Sequence, residues 1–293
     1  MTNYPLPATY DNTMLSTYLE CPQKFFWTHI RELRKIGTGV AADFGAWMHT
    51  VLAHYYTAIL EGEKRSVELM KHCVAEVPAW PESADLLDSL YTQATGEFLL
   101  TAYAEHYKGE RLEPTMVEQS FALPIEGQFL YVGRIDLVGI VESVNSIVDH
   151  KTTTRLGPSF IRKISPNRQG TGYIWALRQY VDDISSFVLN GIRVTANRKN
   201  PGFVRTFPAN RMEYDIDKWQ KDTLEIIEHI LRSYQRRSWI MNTDACSNFG
   251  DCPYRTLCLM RKDPYELRPP GTYEHHRWEP YAGAKFEFVD GTD

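Results

Sequence analysis

Residues 133–140 read GRIDLVGI and residues 147–154 read IVDHKTTT. Both runs are rich in β-branched and apolar residues, and the polar Ser143–Asn145 lies between them, so they read as two strands of a hairpin. Side chains alternate along a strand. Asp149 and Lys151 therefore project from one face and His150 from the other, while Asp136 on the first strand comes to cross-strand distance of the Asp149–Lys151 pair.

Two acids and a lysine on adjacent strands suit phosphodiester hydrolysis. Carboxylates are hard oxygen ligands for Mg²⁺ or Mn²⁺, and such an ion lowers the pKa of a bound water and neutralises phosphate charge. The ammonium group can orient that water and stabilise charge that builds up on the phosphate oxygens. Taken alone, the three residues could equally be a solvent-facing salt bridge on an edge strand, worth little energetically.

Outward from the hairpin, residues 11–31 have the apolar spacing of a helix entered through Asp11, Asn12 or Thr13, and residues 43–62 that of a second. Residues 64–76 and 83–107 are also helical, interrupted by Pro78 and Pro81. The period then changes to strands at 116–125, 129–141 and 146–151, the first two separated by Gly127. A helix follows near 167–181, strands near 185–195 and 202–208, and a long helix at 215–238. The tail after Pro264 reads as a surface-draped loop. This order predicts an α/β fold: a mixed central sheet flanked by helices, with an N-terminal helical insertion at about 50–110, a core at about 111–240 and a C-terminal Cys-rich metal segment. Residues 1–265 read as one domain and 266–293 as a tail.

The 293 residues have an ordinary composition, 43% hydrophobic and 24% charged, and no run is apolar enough to span a bilayer. With no signal peptide at the N-terminus, the expectation is a soluble, cytoplasmic protein without a membrane partner. The net charge of -5 argues against a protein that coats nucleic acid. Charge is unevenly spread, however. Lys151 to Met212 holds eleven basic residues against Asp182 and Asp183, locally +9, as a nucleic-acid enzyme with a local basic surface would. No phosphate-binding loop of the ATPase type is present, so any unwinding needs a partner.

The order G-x-x-x-H at 45–49, G-R-I-D at 133–136, D-x-K-T at 149–152 and Q-x-x-x-Y at 169–173 resembles the RecB-like branch of the PD-(D/E)XK nucleases, which includes the CRISPR-associated RecB-like exonucleases. The resemblance runs from Cys21 to Cys258. It implies a restriction-endonuclease-like fold and a DNA exonuclease that acts on single strands or duplex ends. Recombination, repair or CRISPR spacer processing are the implied settings, with a helicase or a recombination or CRISPR protein as partner, in a cellular or a virus-encoded chain. His49, Asp136 and Asp149 correspond to the metal ligands and Lys151 to the catalytic lysine. Gln169 and Tyr173 share a helix face and can point at the site or at phosphates. Glu118 resembles an acid on the preceding strand. Each also has an ordinary alternative: His49 packed on Trp47 or Tyr55, Tyr173 in the core, Gln169 on the surface, or the whole fold kept as a silent DNA- or partner-binding module. The other histidines, His150 included, fit no ligand pattern.

Of five cysteines, Cys73 lies in a helix pattern and reads as a small buried hydrophobe. Cys21, Cys246, Cys252 and Cys258 resemble the ligands of a [4Fe–4S] cluster in iron–sulfur members of this branch. The family triplet usually begins C-x-x-C, whereas both gaps here are five residues, and a Cys₄ zinc site has the same ligands.

Overall fold

The computed structural model of the chain describes residues 4–81, 90–125, 129–197, 199–247 and 251–279. The expected turn at Gly127 and the first part of the helix expected from residue 83 lie outside the described residues. Among the described residues, 4–38, 121–125, 129–133, 217–247 and 251–279 make one compact unit, and 39–81, 90–120, 134–197 and 199–216 the other.

In the second unit lie helices α3 (Val40–Leu60), α4 (Val67–Glu76) and α5 (Gln93–His106) and strand β5 (Val144–Thr153); before β5, strands β3 (Glu113–Ile125) and β4 (Phe129–Val141) supply residues to both units. Then come two short turns of helix, α6 (Pro158–Ile161) and a 3₁₀ turn, followed by α7 (Arg168–Leu177), β6 (Ser186–Arg193), β7 (Gly202–Arg205) and β8 (Ala209–Asn210). β4 pairs antiparallel with β5, β5 parallel with β6, and β6 antiparallel with β7 and β8. β3 pairs with β4. The parallel β5–β6 pair needs a crossover, which α7 supplies. Phe44, Met48, Val51 and Leu52 of α3 pack with Leu99 and Leu100 of α5 against Leu137, Val148, Val188 and Ile192 of the sheet. α7 lies against the opposite face, where a Cβ on Gly170 would meet the Phe187 ring at 2.5 Å. Gly170, which weakens the helix intrinsically, is thus what lets α7 approach β6.

The hairpin turn is tighter than the sequence suggests. Val144 already opposes Val141, and Asn145 opposes Ile140, so only Glu142 and Ser143 turn, both at positive φ (48° and 67°). That is the two-residue geometry matched to strand twist.

In the first unit, β1 (Thr9–Tyr10) pairs parallel with Leu130 and Tyr131 of β4, and α1 (Asn12–Glu20) is capped by Asp11, which accepts from the Met14 N–H at 2.8 Å. The single helix expected over 11–31 is broken at Cys21, which is extended and precedes Pro22. α2 (Pro22–Phe25) and a π-helical turn (Phe26–Ile30) follow. The tail after Pro264 departs from expectation: Tyr265, Leu267 and Tyr273 are buried, and β9 (Tyr273–His275) pairs with β2 (Leu33–Lys35). Arg31 holds it by donating to the carbonyls of Pro264 and Leu267. Short α9 (Arg255–Leu259) lies between, and α8 (Glu213–Gln235) supplies residues to both units.

Candidate functional site

The ladder between β4 and β5 ends at Leu137 opposite Val148. One step further Asp136 and Asp149 stand opposite each other, yet the strands have parted, and Asp136 Oδ2 takes the backbone N–H of His150 at 2.8 Å instead. A side chain replaces a ladder bond there, and both carboxylates lie beside this break, Asp149 buried and Asp136 largely so. Beyond it, β5 continues on β6 alone, with Asp149 opposite Leu189 and Lys151 opposite Gly191.

His49 comes from α3. Its Nδ1 lies 3.4 Å from Asp136 Oδ1, and its ring meets that of His150 edge-on at 5.9 Å. It does so because α3 approaches β5 closely: a Cβ on Gly45 would meet Thr152 Oγ1 at 2.7 Å. The glycine and histidine of the G-x-x-x-H stretch are one helical turn apart, so the first sets the depth of the second.

Lys151 Nζ lies 2.7 Å from Asp149 Oδ2 and donates to Gln169 Oε1 at 3.0 Å. Gln169 Nε2 in turn donates to Tyr173 OH at 2.9 Å. Asn167 caps α7 by accepting from the Gly170 N–H. Gln169 and Tyr173 are thus linked to the acid–lysine pair by hydrogen bonds, Tyr173 from a buried position. Glu118 sits in β3 at φ +50°, a left-handed backbone that a non-glycine residue adopts at a cost. Its Oε2 is 2.7 Å from Arg134 Nε.

Charges within the site set one another. Burial opposes charge on His49, but the adjacent Asp136 carboxylate outweighs it and lifts the imidazole above its usual range. Burial likewise pushes Asp136 up, and His49, with smaller help from His150 and Lys151, more than reverses this and holds the carboxyl low. At Asp149, 2% exposed, burial prevails over Lys151 and raises the carboxyl. Burial lowers Lys151, but Asp149 and then Asp136 outweigh it, so the ammonium is held more firmly than usual. Burial raises Glu118 to about 7, with Arg134 working against the rise and Asp136 adding to it.

His150, on the other face, carries a feature that the sequence reading missed. Burial pushes its imidazole down to about 3, against the pull of Asp136. The ring stacks on Tyr56, and its Nδ1 accepts from Asn190 Nδ2 at 2.7 Å. Asn190 also donates to Tyr103 OH and accepts from Arg205. Arg205 and Arg65 both pair with Glu110. Asn190, fully buried in the apolar run FVLNGI, was the available signal.

As the side chains lie, no three His, Cys, Asp or Glu among the described residues are grouped to hold a metal ion. Lys151 sits on Asp149 and His49 turns onto Asp136. The donors, two carboxylates and an imidazole, are nonetheless the type that a divalent cation such as Mg²⁺ or Mn²⁺ takes.

In the other unit, burial raises the Cys252 and Cys258 thiols, with smaller contributions from the neighbouring Cys21 and Cys246. The Cys252 N–H bonds to the Cys246 carbonyl at 2.9 Å, and the Asn242 N–H donates to Cys21 Sγ at 3.4 Å. Cys73 is apart, buried on α4.

No curated protein matches the chain. A crystal structure named "Putative exonuclease" from Eubacterium rectale is similar at a TM-score of 0.50 and 11% identity, over 90% of each chain. The structure of SSO0001 gives a TM-score of 0.26 at 16% identity, over 73% of this chain and 84% of that one. The first likeness supports the fold alone. A family model matches residues 12–259, which spans both the acid–lysine hairpin and the cysteines, and on that match the chain belongs to the PD-(D/E)XK nuclease superfamily.

Proposed function

We propose that the chain is a divalent-metal-dependent DNA nuclease, acting as an exonuclease on single strands or duplex ends. The observation that carries this reading is the convergence of His49, Asp136, Asp149 and Lys151 at the point where β4 and β5 part. His49, Asp136 and Asp149 would hold Mg²⁺ or Mn²⁺, which when bound supplies a water of lowered pKa and positive charge beside the phosphate. Lys151, held by Gln169, places its ammonium against the scissile phosphate. Tyr173 fixes Gln169, and Glu118 stands as a proton acceptor beside Arg134. An intact acid–lysine set favours this over a silent binding module.

The four cysteines of the first unit are read as ligands of a [4Fe–4S] cluster, with zinc as the alternative, joining the N-terminal helix to the 246–258 segment. On this reading the enzyme works inside the cell in recombination, repair or spacer processing, beside a helicase or another protein.

End-labelled single- and double-stranded DNA incubated with wild type, Asp149→Ala and Lys151→Ala, with Mg²⁺, Mn²⁺ or chelator, tests the reading. Cleavage should need metal and fall by at least ~100-fold in either variant, with DNA binding retained. Wild-type rates in both variants would sink it.

A further inference from the structure

The basic stretch that follows the catalytic strand is not one surface. Arg205 and Arg211 are turned inward: Arg205 pairs with Glu110, and Arg211 donates to Thr171 Oγ1 and to the Ile164 carbonyl. Arg178 pairs with Glu213, and Arg193 donates to the Asn200 carbonyl. What stays outward is concentrated in the connection from β5 to α7. There Arg155, Arg162 and Lys163 are exposed, and none makes an ion pair with a described residue. No acid occurs between Lys151 and Asp182.

This connection is built, not loose. Gly191 is the register partner of Lys151, and a Cβ there would meet the Phe160 ring at 2.6 Å and Leu156 at 2.7 Å. Phe160 is buried, so the missing side chain seats the connection beside the catalytic lysine. Arg211 Nη2 holds the Ile164 carbonyl at 2.5 Å, and Asn167 Nδ2 holds that of Lys163 at 2.8 Å. Anchoring at 160, 163 and 164 leaves three cations pointing to solvent from a segment that begins three residues after Lys151 and ends at the helix carrying Gln169.

We propose that residues 155–163 form a phosphate-binding arm that holds the nucleic-acid strand next to the scissile bond, through Arg155, Arg162 and Lys163. This rests on the nuclease reading of the site and adds where the substrate lies. Three uncompensated cations on an anchored segment suit a run of backbone phosphates and carry no base specificity. The acids of the site would otherwise repel that backbone, and the arm offsets this where the strand enters.

The test uses the full chain with Asp149→Asn to stop cleavage, and fluorescence anisotropy with labelled 30-nucleotide single strands and 30-base-pair duplexes over a salt series. Arg155→Glu/Arg162→Glu/Lys163→Glu should raise Kd by about 30-fold or more at low salt and make the log–log salt slope shallower by about 2–3, since each phosphate contact contributes roughly 0.7–0.9. The triple Gln variant should show a smaller rise with the same loss of slope. A charge-matched control, Lys64→Glu/Lys71→Glu/Arg111→Glu, alters exposed cations of the same unit and should leave the slope unchanged. Binding and slope equal to the parent in the Gln variant, or an equal loss in the control, overturns the arm and leaves the nuclease reading standing. A parent that binds neither DNA overturns the reading of the site, and the arm with it.

Discussion

The backbone N–H of His150 donates to Asp136 Oδ2 at 2.8 Å, in the place where an unbroken hairpin would have a strand-to-strand bond. The residue between the acid and the lysine of the D-x-K stretch thus fixes the acid of the neighbouring strand, while its ring is locked on the other face by Tyr56 and Asn190. One residue ties both acids to the buried polar network behind them.

Asp136 therefore has a structural share besides any chemical one. Asp136→Asn keeps an acceptor for the His150 N–H, and Asp136→Ala leaves it unpaired. Both should abolish cleavage, but chemical denaturation should find the Ala variant less stable than the Asn variant by about 1–3 kcal/mol.

Gly45 sets the depth of His49. Gly45→Ala places a methyl 2.7 Å from Thr152 Oγ1, and overpacking of this kind costs about 1–3 kcal/mol, partly offset by a helix-propensity gain of roughly 1 kcal/mol. Thr152→Ala removes the clashing atom. The double variant should be more stable than the sum of the single effects predicts; strict additivity in the double-mutant cycle would refute the contact.

Glu118 gives a pH signature in metal-free protein. Its folded pKa of about 7 lies above the ordinary 4.5, so between those values the folded state binds more protons than the unfolded. Stability from this group is complete below pH 4.5 and is lost as pH rises through 7. Glu118→Gln should flatten the stability profile in that window, and a carboxyl carbon resonance titrating near 7 should vanish from the NMR spectrum.

Glu110 neutralises two arginines, Arg65 and Arg205, each about a tenth exposed. Glu110→Ala leaves both without their carboxylate, and losing one side of a buried pair costs about 3–5 kcal/mol. The loss should appear as a lowered urea midpoint with the m-value unchanged.

The cysteines are tested by composition. Protein purified without oxygen should contain iron and sulfide and absorb at the blue end of the visible, and Cys258→Ala should remove both and lower the melting temperature. Zinc in place of iron would settle the alternative. A colourless, metal-free wild type of full stability would remove the site altogether.

The sequence by itself determined the hairpin, the face shared by Asp149 and Lys151 and the helical turn joining Gln169 to Tyr173, because strand and helix periods are local properties of the chain. It also identified Cys73 as a buried residue of a helix. Tertiary structure alone decided the rest. The Glu142–Ser143 turn lacks the glycine or asparagine that marks positive φ, the β2–β9 pairing joins segments more than 230 residues apart, and whether an arginine faces solvent or Glu110 depends on contacts that no local pattern encodes. The same holds for His150: its place in the period is legible, but its bonds to Asp136 and Asn190 exist only once β4, β5 and β6 lie side by side.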